Sequence, residues 1–512
     1  MAVKVIRSLE DMLGKEYVAA VSACREALYK DGEKAKALLT EKVDFYPEEY
    51  EKDVDEKLDM IGKQIVPAFE NTNDGAPTDS FRAATKKYSS PLGGKGYYRL
   101  GEDGKLYFSL KCEHYHTSLG LGFPGYKLIE NAHMAGIPNA THNNTRGFIT
   151  RTLEKELIRV ANSIEKGDEK TLEAVIASKE PHVLNRVINL ETGSLAVEAG
   201  VKMMLARFYK LDASFEAPKH AGKTPVFFVM GDFQGDKTAN YHGTTVLTQT
   251  FRGLWPEFCK KANENQLYDV VTCDINDIES FKKKLSENMT ETRYPAGLMH
   301  EIVLMNYGGV TLDKEFIKEA HRLCHENDIP VLVDEIQSCI WYDELYLYKL
   351  YELTPDFVII GKGFSGGEYP ASKILTTCEM DTLNQFGALV TNGQEELASL
   401  SYLITMEYAL ANAKESREAG EYYFNCANAL KEEFPQHIDK TEGIRHLMAI
   451  HFKDMDKAMY FAKTMNAKGV DMSAQGYKKY CLPAVLTKPP LTLTKKAADH
   501  LIGMMRETLE TM

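Results

Sequence analysis

Short apolar runs alternate with amphipathic segments between about residues 185 and 377. Runs of four to eight residues rich in Val, Ile and Phe predict strands that are buried on both faces. Residues 313–328, between two such runs, place Phe316, Ala320 and Cys324 at helical spacing. A strand, a crossover helix and a further strand form the unit of a mostly parallel α/β sheet. The predicted strands are VFFV (226–229), DVVTCD (269–274), LMHEIVLM (298–305), PVLVDEI (330–336), FVIIGK (357–362) and SKILTT (372–377).

The pattern on either side of this region predicts further domains. Residues 1 to about 70 carry apolar positions at helical spacing, and a loop rich in Asn, Gly, Pro and Ser follows from Asn71 to Gly96. Long helices return after about residue 395, and a mixed segment ends the chain. We therefore expect an N-terminal helical segment (1–95), which belongs or is appended to a small domain. A large sheet domain (96–394) and a small C-terminal domain (395–512) are expected to follow.

Composition and charge exclude several functional classes. Hydrophobic residues make up 44% and charged residues 26% of the 512 positions, which is typical of a globular protein. The net charge of -13, without a basic stripe, argues against nucleic-acid binding. No window approaches about 18 uninterrupted apolar residues, so we expect no membrane span. Nine scattered cysteines without a CxxC pair, and an N-terminus that becomes charged early, favour a reducing cytoplasm.

Lys362 ends one of the buried strands, in the stretch PDFVIIGKGFSGG (355–367). GKGFSG (361–366) matches the G-x-G-x-x-G pattern of dinucleotide sites, which requires a helix directly after it. Pro370 disfavours that helix at its own position and at the preceding one. A lysine at a strand end commonly extends into solvent, so Lys362 alone does not identify a site.

Asp334 ends another predicted strand, and ligands of parallel sheets bind at the carboxyl ends of strands. Asp334 and Lys362 therefore form either a structural salt bridge or a pyridoxal phosphate site. In the latter, the lysine forms a Schiff base and the aspartate keeps the pyridine nitrogen protonated. Gly193 and Ser194 stand just before a helical pattern, where backbone N–H groups favour an anion such as the cofactor phosphate. Tyr241 offers a ring that can stack on the pyridine, although it is equally compatible with a surface turn.

Several stretches, in order, resemble the class III pyridoxal-phosphate aminotransferases, which include the ornithine, acetylornithine, 4-aminobutyrate and diaminopelargonate enzymes. The resemblance implies the type I aminotransferase fold, with a large cofactor domain around a mostly parallel, seven-stranded sheet and a smaller α+β domain built from both chain ends. The matching stretches are GKLYFSLKCE (104–113), ETGSLAVEAGVKMML (191–205), YHGTT (241–245), GGVTLDKEFIKEAHRLCHENDIPVLVDEIQ (308–337), PDFVIIGKGFSGGEYPAS (355–372) and TNGQEELAS (391–399).

The resemblance assigns catalytic roles to two of these residues. It implies that Lys362 carries the Schiff base and that Asp334 pairs with the pyridinium nitrogen. It further implies that Gln337 lies near the phenolic oxygen of the cofactor, that Tyr241 stacks on its ring and that His242 belongs to the cofactor site.

The phosphate of the cofactor is assigned to residues of two subunits. The resemblance implies that Gly193 and Ser194 bind the phosphate in their own subunit, whereas Thr391 reaches the phosphate of the neighbouring one. It therefore implies a homodimer with shared active sites.

Other positions depart from the family pattern. Thr244 stands where many members have an arginine after His-Gly, and the bulky Trp341 and Tyr342 replace a glycine-rich element. The motif with glutamate, proline and glutamine before Gly-Gly becomes HEIVLMNYGG. Lys488 precedes two prolines near the C-terminus, where an arginine often binds the substrate carboxylate; a lysine can hold a carboxylate only as a point charge. The residues that hold the cofactor are kept, but the substrate, the acceptor and the group that binds a carboxylate stay open.

The implied function is an aminotransferase that moves an amino group from an amino acid or amine to a 2-oxo acid or aldehyde in two half-reactions. An epimerase or racemase, an aminomutase or a decarboxylase of the same family is the alternative, because the cofactor residues do not fix which bond breaks. A third hypothesis is a catalytically silent relative that serves as a binding protein.

Cys112, His114 and His116 have a spacing that a metal ion could use. No fourth ligand is evident in the sequence, and the stretch overlaps one that lines the active site in the family. We therefore expect no metal there, and a role of the two histidines toward the substrate is the alternative.

Overall fold

The N-terminal part of the chain combines short helices with two small sheets. The computed structural model describes residues 2–86, 90–112, 114–139, 142–370, 372–476 and 481–512. The predicted loop 71–96 contains a short helix and a strand, because the strand pairs with the next one along the chain. The elements are β1 (Ile6–Arg7), α1 (Leu9–Leu13), α2 (Lys15–Tyr29), α3 (Gly32–Thr40), β2 (Val43–Asp44), α4 (Glu48–Asp55), α5 (Asp79–Ala84), β3 (Pro91–Lys95), β4 (Tyr98–Gly101) and β5 (Leu106–Ser109).

The middle of the chain builds an α/β unit. Its helices are α6 (Lys127–Met134), α7 (Phe148–Ala161), α8 (Glu169–Ala177), α9 (Gly193–Leu205), α10 (Val246–Phe251), α11 (Pro256–Glu264), α12 (Ile278–Asn288), α13 (Lys314–Glu326) and α14 (Leu347–Leu350). Its strands are β6 (Leu184–Leu190), β7 (Thr224–Met230), β8 (Asp269–Cys273), β9 (Arg293–His300), β10 (Val303–Leu304), β11 (Val310–Thr311), β12 (Val331–Asp334), β13 (Phe357–Gly361) and β14 (Ser372–Thr377).

A seven-stranded sheet with the order β6-β14-β13-β12-β9-β7-β8 forms the centre of this unit. The strands β13, β12, β9, β7 and β8 are parallel to one another, and β14 is antiparallel to both β13 and β6. The prediction of an α/β fold with a mostly parallel, seven-stranded sheet flanked by helices is confirmed.

Two details of the sheet differ from the predicted strands. The run 298–305 is not one strand, because β9 ends at His300 and β10 pairs with β11 in a separate antiparallel hairpin. The strand β6 was absent from the predicted set. Its sequence LNRVINL carries Asn185, Arg186 and Asn189 among the apolar residues, and it therefore lacks the continuous apolar run of a central strand.

Long helices and a second sheet follow residue 395. They comprise α15 (Glu396–Ala411), α16 (Ala413–Glu433), β15 (Ile438–Ile444), β16 (Leu447–Phe452), α17 (Met455–Ala467), β17 (Val470–Asp471), β18 (Ser473–Ala474), β19 (Ala484–Thr487) and α18 (Lys495–Glu510). The strands β15, β16, β19 and β18 form one antiparallel sheet, while β17 pairs with β5 in the sheet β17-β5-β4-β3.

The two ends of the chain share a hydrophobic core. Apolar residues between Val54 and Leu110 pack with apolar residues between Tyr423 and Leu509. At their junction the buried Asp471 contacts Lys111 at 2.6 Å and also pairs with Arg99. The division at residues 95 and 394 stays a prediction. None of the helices among the described residues is long and apolar enough to cross a membrane.

Candidate active site

A pocket of about 400 Å³ lies at the carboxyl ends of the central strands. Such a position is expected for a ligand site in an open α/β sheet, because loops from neighbouring strands meet there. Seven of the eight residues predicted from the sequence line this pocket: Gly193, Ser194, Tyr241, His242, Asp334, Gln337 and Lys362. The eighth, Thr391, is exposed on a turn before α15 and is not among the described residues that line the pocket.

Lys362 begins a tight 3₁₀ turn directly after β13. Its φ of +43° lies in the left-handed region, which an L-residue adopts at a cost in backbone strain. The following Gly363 fits because a Cβ there would lie 2.8 Å from the ring of Trp341. Trp341 is itself fixed by a hydrogen bond from its indole N–H to the carbonyl of Pro489. Trp341, one of the bulky residues that depart from the family pattern, therefore packs against the turn that carries Lys362.

Asp334 is paired with His242 at the base of the pocket. Nδ1 of His242 lies 2.8 Å from Oδ2 of Asp334, and each side chain has an exposed fraction of only 2%. The backbone N–H of Ile336 donates to the other carboxylate oxygen at 3.1 Å. The hypothesis of a structural salt bridge between Asp334 and Lys362 is wrong, since the structure pairs the aspartate with the histidine.

Two further histidines lie behind this pair. His300 is fully buried, and its Nε2 lies 2.9 Å from Nε2 of His321. Burial lowers the pKa of His300 to about 3, because desolvation penalises the imidazolium form. His300 is therefore neutral near pH 7 and adds no charge to the surroundings of Asp334.

The N-terminus of α9 forms one wall of the pocket. The helix begins at Gly193, where a Cβ would lie 2.8 Å from the side chain of Ile336. Ser194 accepts a hydrogen bond from the backbone N–H of Thr244 at 3.1 Å, which ties the helix start to the loop after Tyr241. The first N–H groups of a helix lack partners within the helix and attract an anion.

Gln337 connects the pocket to a buried polar network. Its amide donates to Oε1 of Glu301 at 3.2 Å and accepts from Nζ of Lys488 at 3.4 Å. Lys488 has an exposed fraction of 1% and is not among the described residues that line the pocket. The sequence suggested that Lys488 takes the place of a substrate-binding arginine, but its contact with Gln337 lies behind the pocket wall.

Glu335, next to the site aspartate, has a structural role. Its carboxylate accepts hydrogen bonds from the backbone N–H groups of Leu347 and Tyr348 and from the hydroxyl of Ser338. Burial raises its pKa to about 7, and these three donors act in the opposite direction. The carboxylate thus fixes the start of α14 rather than lining the pocket.

Arg252 lines the pocket and was not found by sequence analysis. Its guanidinium carbon lies 4.8 Å from the centroid of the Tyr241 ring, in a cation–π contact. Arg252 follows the short helix α10, eight residues beyond the motif arginine position that Thr244 occupies. No local pattern marks it, because only the fold of the loop and helix brings it to the pocket.

The two histidines of the CEHYH stretch also line the pocket. His114 and His116 lie at its wall, whereas Sγ of Cys112 is 3.5 Å from the carbonyl of Ser109. The structure thus places the histidines, and not Cys112, beside the predicted cofactor residues.

The chain is similar to known aminotransferases. A family model described as aminotransferase class-III matches residues 132–509. The acetylornithine aminotransferase of Aquifex aeolicus (strain VF5) is 26% identical over 420 residues, which cover 81% of this chain and 96% of that protein. The putrescine aminotransferase of Pectobacterium atrosepticum is 22% identical over 388 residues, 74% of this chain and 77% of that protein.

Solved structures show the same fold. A transaminase from the marine bacterium Virgibacillus superposes with a TM-score of 0.66 at 15% identity, covering 86% of this chain and 97% of that one. The acetylornithine aminotransferase of Elizabethkingia anophelis gives a TM-score of 0.62 at 18% identity, covering 91% and 99% of the two chains.

Proposed function

The chain belongs to the class-III aminotransferase family and is thereby a pyridoxal-phosphate-dependent transferase of amino groups, and we propose that Lys362 and Asp334 carry its chemistry. The observation that supports this assignment is their convergence. An amine and a carboxylate from the ends of adjacent strands line one pocket together with the N-terminus of α9.

The pocket has the donors and acceptors that pyridoxal phosphate requires. The backbone N–H groups at Gly193 and Ser194 suit the phosphate, and the ring of Tyr241 suits the face of the pyridine. The close contacts at Gly193 favour a residue without a side chain, so the backbone itself can approach an anion. Bound there, the protonated pyridine ring supplies an electron sink for bonds at the α-carbon of the substrate.

Asp334 would hold the pyridine nitrogen of the bound cofactor. Its carboxylate accepts a backbone N–H and is paired with His242. The same contacts fix the orientation of the carboxylate. His242 is therefore a positioning residue that acts through Asp334.

Lys362 is the lysine that lines the pocket among the described residues. Lys362 would hold the cofactor through its amine, and once displaced by the substrate the same amine would be placed to accept and return the proton at the substrate α-carbon. The strained turn at Lys362, supported by the packing of Gly363 on Trp341, holds the amine at the pocket wall.

Arg252 binds the negatively charged group of the substrate in this proposal. It is the one arginine among the described residues that line the pocket, and its cation–π contact with Tyr241 holds the guanidinium beside that ring. A planar guanidinium binds a carboxylate through two parallel hydrogen bonds. The favoured substrates are therefore amino acids or oxo acids rather than simple amines.

The assembly we propose is a homodimer in the cytoplasm. Thr391 is exposed and lies outside the pocket of its own chain, which fits a residue that reaches the phosphate site of the neighbouring subunit. The scattered cysteines, none of which lies in a disulfide among the described residues, support a reducing compartment.

A half-reaction with a single donor tests the function. The holoenzyme is mixed with each amino acid or amine of a panel, and the visible spectrum and the oxo product are followed without an acceptor. We expect one class of donor to yield one oxo product per active site and to convert the cofactor to its amine form. Racemisation or release of carbon dioxide without that conversion would instead identify the epimerase or decarboxylase alternative.

A further inference from the structure

Three potential metal ligands lie together at the amino ends of the central strands, opposite the end that forms the cofactor pocket. His182 precedes β6, Asp356 precedes β13 and His325 lies in the last turn of α13. One nitrogen of each imidazole and a carboxylate oxygen all lie within 4.8 Å of one another. The amino ends of two strands and the end of a helix therefore converge on one cluster, well separated in topology from the carboxyl ends that form the pocket.

Hydrogen bonding within the protein accounts for only part of this cluster. Nδ1 of His182 lies 2.8 Å from Oδ1 of Asp356, and Oδ2 of Asp356 accepts the backbone N–H of Val331. Nε2 of His325, in contrast, is buried and has no hydrogen-bond partner among the described residues. It points toward Oδ2 of Asp356 at 4.0 Å, which is too long for a hydrogen bond.

A buried nitrogen without a partner is costly and calls for an explanation. If Nε2 of His325 carries no proton, two electron-pair donors face each other with nothing between them. If it carries a proton, a buried donor is left without an acceptor in range. A cation between the imidazole and the carboxylate would satisfy both groups at once.

The backbone and the rings bring His182 close to His325. His182 has a φ of +59°, in the left-handed region that non-glycine residues adopt at a cost. Its ring stacks on that of His325 with the centroids 3.8 Å apart.

We propose that His182, His325 and Asp356 form a binding site for a divalent transition-metal ion of the zinc class. Two imidazole nitrogens and one carboxylate oxygen are ligands that Zn²⁺ prefers. Bonds of about 2.0–2.2 Å place tetrahedral ligands about 3.3–3.5 Å from one another, within the spread that the three atoms show. The hydrogen bond from Val331 to Asp356 orients the carboxylate from behind, as is common at metal sites.

Solvent reaches the cluster at His182. The His182 side chain has an exposed fraction of 33%, so a water molecule can complete the tetrahedron. The ion would link α13 to the starts of β6 and β13. Binding of the ion is expected to stabilise the folded protein. We expect it to leave the cofactor pocket, at the opposite ends of the strands, unchanged.

Zinc binding to the untagged holoenzyme tests the proposal. Crystals soaked in zinc chloride are measured on both sides of the zinc absorption edge, and the thermal midpoint is recorded in solution with and without zinc. We expect an anomalous peak between the three side chains and a zinc-dependent rise in the midpoint. The free cysteines can bind zinc elsewhere, so the position of the peak decides the assignment.

His182→Gln and His325→Gln are compared with His133→Gln, which changes an exposed histidine on α6. Both cluster variants should lose the peak and the zinc-dependent rise, and the control should keep them. His182 is partly exposed, so its variant is expected to fold even if that at His325 does not. An empty cluster at saturating zinc, or a peak that survives in both cluster variants, would overturn the proposal.

Discussion

Two lysines, Lys362 and Lys373, lie near the end of β13. Lys373 on β14 is the register partner of Ile360 and is almost fully buried; burial lowers its pKa to about 8. A lysine with such a pKa suits a nucleophile near neutral pH. Lys362, however, lines the pocket, and Nζ of Lys373 lies 3.4 Å from the carbonyl of Gly393 instead. Access to the pocket therefore decides between the two lysines.

Replacement of Arg252 tests its role in substrate binding. Arg252→Met should lower kcat/KM about 10- to 100-fold for substrates with a carboxylate, because charged hydrogen bonds contribute about 1.5–3 kcal/mol. Simple amines without that group should be used equally well by the variant and the wild type. Arg252→Lys should recover part of the loss, since a lysine keeps the charge but lacks the paired donors. An equal loss for both substrate classes would contradict a role in binding the carboxylate.

Sequence alone predicted that the candidate residues at strand ends and helix starts lie together, and they line one pocket. Asp334, Lys362 and Gly193 follow or precede apolar runs, so their convergence is dictated by the α/β pattern. The pairing of His242 with Asp334 could not be predicted, because it joins a loop and a strand that are 92 residues apart. Arg252 was missed for the same reason: no local spacing relates it to the ring of Tyr241.

Among the elements, α7 and α15 are joined by a buried carboxylate. Glu396, at the start of α15, accepts hydrogen bonds from the backbone N–H groups of Ile149 and Thr150 and from the Thr150 hydroxyl. These N–H groups belong to the first turn of α7 and have no partner within that helix. A negative charge at this end also interacts favourably with the helix dipole. The Glu396 side chain therefore accepts hydrogen bonds from the otherwise unpaired N–H groups at the start of a helix that lies almost 250 residues away in the sequence.

Removal of that carboxylate should destabilise the fold without altering the pocket chemistry. Glu396→Ala leaves two buried N–H donors unpaired and should lower the free energy of unfolding by about 2–4 kcal/mol. Glu396→Gln keeps one oxygen acceptor and should lose less. The denaturant midpoint measures the effect, and Glu418→Gln, at an exposed position of α16, is the control. Equal midpoints for Glu396→Ala and Glu418→Gln would show that the contact carries no stability.

At the element level, the central strands were predicted from apolar runs, but the order of the sheet was not. The position of β14 between β6 and β13 depends on antiparallel pairing at both of its edges. The strand β6 lies at the edge of the sheet, carries polar residues and lacks a continuous apolar run. Pairing between distant segments is a property of the packed chain and leaves little trace in local sequence.

At the scale of the whole molecule, segments near the two ends of the chain share one sheet and one hydrophobic core. The strand β17 adds to β5, and Asp471 is enclosed by Arg99, Lys111 and Tyr115, whose hydroxyl lies 2.6 Å from the carboxylate. Such a buried charged cluster fixes the register of the junction, because each group would be left unpaired if the strands separated. The implied small domain built from both chain ends is consistent with this shared sheet and core.

Complementation between two defective variants tests the shared active sites. Thr391→Glu places a negative charge where the phosphate of the neighbouring subunit is expected, and Lys362→Ala removes the reactive amine. Each variant alone should be inactive or nearly so. In a mixed dimer one site combines the intact Lys362 of one chain with the intact Thr391 of the other.

After subunit exchange, random pairing makes half of the dimers mixed, so about a quarter of the wild-type activity should return. The measurement is activity before and after exchange, with dimer formation followed by light scattering. If Thr391→Glu retains full activity alone, or if the mixture stays inactive although mixed dimers form, Thr391 does not serve the partner's site.

The most direct test of the central claim is to locate the cofactor on the chain. The holoenzyme is reduced with borohydride, digested, and the lysine that carries the phosphopyridoxyl group is identified by mass spectrometry, with Lys373→Met as a matched variant. We predict the modification at Lys362, in wild type and in Lys373→Met alike. Modification at Lys373, at another lysine or at none would contradict the assignment of the pocket at the carboxyl ends of β12 and β13.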